Sequence, residues 1–231
     1  MTPLIQIEHL SKNFRGTHAL DDLSLTLEGG RIVGLLGENG SGKTTLLKVL
    51  AGFLMDYDGH VTIGGHRPGA ATKKLVSYLP DTSAIPTNLT VMQAVDLYER
   101  FFADFDRSRT QEMIDFFELP QSKRISELSL GTAEKLQILL AIARQAQIYL
   151  LDEPLSGIDP ASRERILRGI LTNFSEDALM LVSTHLIHDI EPVIDQTLFI
   201  RQGRLILNQE TDALREEYGK SLEGIFKEVY A

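Results

Sequence analysis

The sequence predicts a parallel α/β core carrying a helical insert, and three observations support that expectation. A continuous apolar run, RIVGLLG from Arg31 to Gly37, reads as a strand buried on both faces and leads through a glycine-rich stretch into a segment of helical spacing. Strand-like and helical runs alternate toward both ends of the chain, the pattern of crossover units in a parallel sheet. Between those ends, residues 90 to 145 turn helical in TVMQAVDLYERFF, RTQEMIDFFEL and TAEKLQILLAIARQ.

Taken in order, residues 4 to 36 read as three strands, LIQIEHL, LSLTL and RIVGLLG, punctuated at Arg15-Gly16-Thr17 and Gly29-Gly30. Thr44 to Ala51 carries Leu46, Leu47, Leu50 and Ala51 at helical spacing, and Gly52 is a natural stop. HVTIGG and LVSYLP are further strands before the insert. After it, strands return in IYLLDE, ALMLVST and TLFIRQGRLIL, with a helix from about Ser162 to Thr172 and a hairpin about Gln202-Gly203. Residues 211 to 230 read as a polar helical tail. The expectation is one unit over 1–231: a core from 1–85 and 146–210, a helical subdomain over 86–145, and a tail over 211–231.

Composition narrows the function classes. Hydrophobic residues at 43% and charged residues at 24% suit a folded core. A net charge of -9 argues against a broad phosphate-backbone footprint, so nucleic acid is not an expected partner. Cysteine is absent, which excludes disulfides, thiol catalysis and cysteine-ligated zinc. The longest apolar runs, ILLAIA and IYLL, fall short of the ~20 residues a spanning helix needs, and no leader pattern opens the chain, so it is not expected to cross a membrane by itself.

The glycine-rich stretch is chemically specific. Gly37, four residues, then Gly42-Lys43-Thr44 matches the P-loop pattern between a strand and a helix. Its glycines let backbone N–H groups turn toward phosphate oxygens, and the helix start adds partial positive charge. The cradle runs through Asn39, Gly40 and Ser41. Lys43 is placed to reach the β and γ phosphates, Thr44 to ligate Mg²⁺, and Thr45 to add a phosphate contact. In IYLLDEP, Asp152 and Glu153 stand at the carboxyl end of a buried strand, where open α/β sheets bind ligands. Asp152 is read as holding Mg²⁺ through its water shell, and Glu153 as polarising the attacking water. Adjacent acids are usually solvated charge; the apolar strand before them and the upstream P-loop reverse that.

Together these residues resemble the ATP-binding cassette ATPases, the nucleotide-binding subunits of ABC transporters. GENGSGKTT resembles Walker A, IYLLDE Walker B, SGID the D-loop with Asp159, and His185 in VSTH the switch histidine. LSLGT, Leu128 to Thr132, lies where the family signature belongs. The resemblance implies a P-loop NTPase (RecA-like) core with an antiparallel β subdomain and an inserted α-helical subdomain. It also implies two cassettes, a homodimer in the simplest case, paired head to tail around two ATP molecules, with Ser129 and Gly131 facing the phosphates of the other subunit. Leu130 and Thr132 depart from the usual glycine and glutamine, and Asp81 in SYLPD replaces the usual Q-loop glutamine. Beside a γ phosphate, Asp81 must be metal-bound or turned away, because two like charges at ~4 Å repel by about 4 kcal/mol at an effective dielectric of ~20. Phe14 falls where the family stacks an aromatic ring on adenine; a core phenylalanine is the equal alternative. Stacking tolerates any base, so GTP is expected to bind nearly as well.

The same resemblance implies ATP hydrolysis that energises a separate membrane permease, docked by a coupling helix between core and insert, with this chain at the cytoplasmic face of the membrane. Exporter-type cargo (drug, peptide or lipid) is the reading by analogy. A soluble cassette ATPase acting on nucleic acid or ribosomes is the rival, disfavoured by a lone cassette without heptad runs and by the acidic balance. No large regulatory domain is expected beyond the hairpin. His185 and His188 without a third ligand make a poor zinc site, and His9, His18, His60 and His66 read as surface residues.

Overall fold

In the computed structural model, residues 3–172 and 174–230 are described. The chain opens with a hairpin of β1 (Ile5–Phe14) and β2 (Thr17–Leu27), joined through Arg15 and Gly16, both at positive φ as a two-residue hairpin turn demands. These strands run longer than LIQIEHL and LSLTL suggest. Bulges at His9 and Asp22, both left-handed, break the apolar alternation, and the hydroxyls of Ser24 and Ser11 accept the two displaced N–H groups at 2.9 and 3.0 Å.

β3 (Arg31–Leu36) follows, then α1 (Lys43–Leu50), β4 (Asp58–Ile63) and β5 (Val76–Leu79). β4 joins the hairpin in a three-stranded antiparallel sheet of order β2-β1-β4. The insert holds α2 (Val91–Phe101), α3 (Arg107–Phe117) and α4 (Leu130–Ile142), each started by a side-chain cap: Thr90, Asp106 and Ser129. The chain then alternates through β6 (Ile148–Asp152), α5 (Pro160–Thr172), β7 (Leu179–Thr184), the short α6 (Ile187–Ile190), β8 (Gln196–Arg201) and β9 (Arg204–Glu210). The main sheet has the order β5-β6-β7-β3-β8-β9, parallel but for β9, which turns back on β8. α5 begins at Pro160, earlier than the expected Ser162, because Asp159 caps it and proline suits the first helical turn.

Burial on both faces explains the unbroken apolar strands. In β3, Val33 and Leu35 pack into a core shared with α1 and the antiparallel sheet, while Ile32 and Leu36 face an opposite core shared with the insert and α5. The C-terminal residues form two helices, α7 (Thr211–Tyr218) and α8 (Leu222–Tyr230), broken at left-handed Gly219. A wholly polar tail is not what results. Phe226 and Tyr230 of α8 stack at 4.0 Å and pack edge-on against Phe199 of β8. The signal was Leu222, Ile225, Phe226 and Val229, spaced to share a helix face.

Arg144, at the end of α4, ties the insert to the core. It is 3% exposed, donates to both Asp104 oxygens at 3.1 and 2.9 Å and to the Val76 carbonyl at 2.6 Å, and lies over the Phe102 ring. Arg144→Ala, which removes a buried cation from the half-buried Asp104 carboxylate and the Val76 carbonyl, should lower unfolding free energy by about 1–3 kcal/mol, read as an earlier urea midpoint with unchanged slope.

Candidate functional site

β3 delivers the chain into a tight loop, residues 37 to 42, that wraps the first turn of α1. Gly42 caps that helix at φ 112, and a Cβ there would stand 2.5 Å from the Ala19 carbonyl. Gly37 has no room either: a Cβ would lie 2.5 Å from the Ile200 carbonyl and 2.6 Å from Ser41 Oγ. Gly42→Ala therefore combines strain and collision. It should cost about 2–4 kcal/mol of stability and remove nucleotide binding, testable by thermal melting with and without Mg-ATP.

Lys43 is 5% exposed and already aimed along the loop. Its ammonium donates to the carbonyls of Gly37 at 2.8 Å and Glu38 at 3.1 Å, and stands 3.6 Å from Glu153 Oε1. Burial pushes its pKa down and the Glu153 carboxylate partly restores it. Ser41 Oγ is buried without a partner. Thr45 is half-buried, and Asn39 and Gly40 are exposed at the rim.

The strand-end acids face this loop across the sheet. Asp152 is 1% exposed, and its Oδ1 accepts from Ser183 Oγ at 2.5 Å and Thr44 Oγ1 at 3.2 Å. Its Oδ2 is buried with no partner. Burial pushes the carboxyl pKa up, its two hydroxyl partners hold it down, and Asp81 and Glu153 add to the rise. Glu153 follows in a left-handed conformation, φ 49, a strain of order 1–3 kcal/mol that its neighbours must hold in place. Its N–H donates to the Ser183 carbonyl at 2.9 Å; its carboxylate lies 3.0 Å from His185 Nδ1 and accepts from the His185 N–H at 3.3 Å. Lys43, Thr44, Asp152, Glu153 and His185 are thus brought together.

The other expected residues are not all drawn into that cluster. Ser129 caps α4, its Oγ accepting from Thr132 N–H at 3.2 Å, and it is exposed beside Leu130, itself 70% exposed. Asp159 is exposed and accepts from Ser162 N–H at 3.1 Å. Phe14 is not a core residue: it is 44% exposed, with the Lys12 ammonium 4.9 Å from its ring centre. Asp81 is exposed, yet it lines a small cavity with Glu134, Asp152 and Glu153. A larger cavity of about 490 Å³ separates core from insert, lined by Phe53, Tyr78, Phe102, Gln137, Ala141 and Arg144.

Two participants escape the sequence reading. Ser183 holds both acids, and its signal was a hydroxyl at the end of a buried strand two residues before His185. Glu134, on the second turn of α4, has a buried Oε2 without a partner, and burial pushes its pKa up. A carboxyl whose folded pKa exceeds its unfolded one destabilises the fold once ionised, so stability falls as pH rises from about 4.5 through the folded value. Glu134→Gln should lose that dependence and gain stability at pH 7.5 but not at pH 4, as denaturant melts at both pH values would reveal.

A glycine-lined loop with a buried lysine at a helix start, opposite carboxylates at the end of a parallel strand, defines a nucleoside-triphosphate-binding α/β protein. Within that class, a family model described as ABC transporter matches residues 20–156. The ABC transporter ATP-binding protein YtrB of Bacillus subtilis is 33% identical over 220 residues, covering 94% of this chain and 75% of that protein. The Nod factor export ATP-binding protein I of Rhizobium johnstonii is 28% identical, covering 92% and 71%. A solved structure of the ATP-binding subunit of an ABC transporter superposes with a TM-score of 0.86 at 24% identity over 99% of this chain, a likeness of fold. The chain belongs to the ABC transporter family as an ATP-binding cassette, and it is an ATPase. None of its described helices is long and apolar enough to cross a membrane.

Proposed function

We propose that this cassette hydrolyses ATP at the cluster of Lys43, Asp152, Glu153 and His185 and energises a separate transmembrane permease. The supporting observation is Glu153 held on strained backbone between a buried ammonium and an imidazole, beside an aspartate with an unclaimed oxygen. Gly37 to Thr45 cradle the phosphates, and Lys43 exchanges its carbonyl partners for β and γ oxygens. Glu153 orients and deprotonates the attacking water, while His185 and Lys43 balance charge on the transferring group. The free Asp152 oxygen, the Thr44 hydroxyl and the Asp81 carboxylate suit a hard divalent cation, and we assign them to Mg²⁺, which supplies charge neutralisation of the phosphates. Phe14, exposed and pinned by Lys12, offers one ring face to the base.

Ser129 is exposed and its hydroxyl is engaged within the first turn of its own helix, which leaves it and Gly131 at the surface and supports a role across a homodimer, closing over the ATP of the partner with Asp159 at the seam. The permease would enter the groove between core and insert, whose lining includes exposed Phe53, and so hold the cassette at the cytoplasmic face of the membrane. Export of drug, peptide or lipid-like cargo is the direction we favour, in keeping with the Nod factor export relative. Nucleic acid is not a partner in this reading, given the charge of -9. The test is sedimentation of Glu153→Gln with Mg-ATP, where a dimer is expected and a monomer at saturation refutes the shared pocket. Capture of a multi-span protein from solubilised membranes, rather than of RNA, tests the partner. Asp81 replaces the usual glutamine and is exposed, so its loop should be linked to hydrolysis more weakly than Glu153 is: Asp81→Gln and Asp81→Ala should slow ATPase less than Glu153→Gln does, and if both drop to the level of a Glu153 variant, that weaker link is wrong.

A further inference from the structure

Gly157 sits in the turn that follows Glu153, and its backbone φ is not in the left-handed region, so conformational freedom is not what requires glycine there. What the position shows instead is a close approach by a side chain. A Cβ at Gly157 would overlap the Glu134 carboxylate of α4, which accepts a hydrogen bond from the Gly157 N–H. One helical turn earlier on the same face, Gly131 approaches the Gly157 carbonyl: a Cβ on it would stand 3.6 Å away. The turn itself is stiff, because the Ser156 N–H donates to the Glu153 carbonyl at 3.2 Å and the Ile158 N–H to that of Leu155 at 3.3 Å. A displacement at Gly157 is therefore carried back to Glu153. The other Glu134 oxygen is buried with no partner, and the residue lines the small cavity that Asp81, Asp152 and Glu153 also line.

We infer that Glu134 is a positioning residue for hydrolysis: its carboxylate clasps Gly157 and so fixes the turn that holds Glu153 against Lys43 and His185. This rests on Glu153 being the group that orients water. Glu134 touches no reacting atom; it acts through the backbone of Gly157. The contact also joins the signature helix to the turn after Walker B within a single subunit, so a shift of the insert changes how Glu153 is aimed. A misplacement of about 1 Å at a reacting group costs on the order of 10²-fold in rate, which sets the scale.

The experiment compares steady-state ATPase kinetics of Glu134→Ala, Glu134→Gln, Gly157→Ala and the Glu134→Ala/Gly157→Ala pair, with thermal melting of each. Glu134→Ala should lower kcat by at least about tenfold with KM for ATP changed less than about twofold, since the cradle is untouched. Glu134→Gln keeps an acceptor for the Gly157 N–H and should recover most of that loss. Gly157→Ala should be slow alone and no slower than Glu134→Ala when paired with it, because removing the carboxylate makes room for the new methyl. A Glu134→Ala variant at wild-type kcat, a Glu134→Gln variant as slow as the alanine one, or losses that multiply in the pair would each overturn the assignment. Melting temperatures that fall in step with kcat would assign Glu134 to plain stability and overturn it too. Should Glu153→Gln turn over normally, the base assignment fails instead; a dead Glu153→Gln beside a normal Glu134→Ala condemns only the positioning role.

Discussion

Glu153→Gln should bind Mg-ATP at least as well as the native protein and hydrolyse it about 10²–10⁴-fold more slowly, a barrier increase of about 3–5.5 kcal/mol. The amide keeps the shape and one acceptor oxygen, so His185 N–H and Nδ1 still have a neighbour at 3.3 and 3.0 Å. What it loses is the capacity to take the proton of water. It also loses the negative charge that stands 3.6 Å from the Lys43 ammonium, leaving that buried cation to seek a counter-charge in the triphosphate. Single-turnover phosphate release gives the rate and equilibrium nucleotide titration gives the affinity. Hydrolysis at the native rate would show that another group handles the water.

The second large effect belongs to Lys43→Met. The apolar stem is preserved while the only cation in contact with the loop carbonyls of Gly37 and Glu38, among the described residues, is removed. A hydrogen bond to a charged group contributes about 1.5–3 kcal/mol, so the dissociation constant for Mg-ATP should rise on the order of tenfold to a hundredfold. Turnover should drop as far as in Glu153→Gln, because in the proposed reaction the lysine also balances charge that grows during transfer. The nucleotide-free protein, by contrast, should not unfold more easily: burial already depresses the pKa of Lys43, meaning its charge is held there at a cost that methionine does not carry. Melting curves with and without nucleotide separate the two expectations. A native affinity for Mg-ATP in Lys43→Met would refute the cradle reading.

Much of this was legible in the residues, for identifiable reasons. The core strands RIVGLL, IYLLD and LMLVST are buried on both faces, so their apolar runs are unbroken and hard to mistake. Gly37, Gly42, Lys43 and Thr44 are at fixed spacing because the loop geometry admits no other residue types at the glycines, and that compulsion is visible in a string of letters. What stayed hidden depends on distant parts of the chain. The extension of β1 and β2 is obscured by bulges whose hydroxyl partners lie 11 and 15 residues away. Ser183 and Glu134 are ordinary polar residues in sequence and become significant only when β7 is laid beside β6 and α4 beside the turn that follows it. The tail concealed an apolar face because its charged residues outnumber the stripe that packs on β8.

α4 has a property that reaches beyond hydrolysis. Gln137 on that helix borders both the small space beside Glu153 and the roomy cleft between core and insert, and Ala141 and Arg144 extend the border of the cleft. At 13 residues it is a rod of about 20 Å whose second half, from Leu136 to Ile142, is packed into the core. Anything that wedges into the cleft presses on the same beam whose other end reaches Gly157. Thermodynamic reciprocity then fixes the traffic in both directions: by whatever factor a guest in the cleft tightens the grip on nucleotide, nucleotide tightens the grip on the guest.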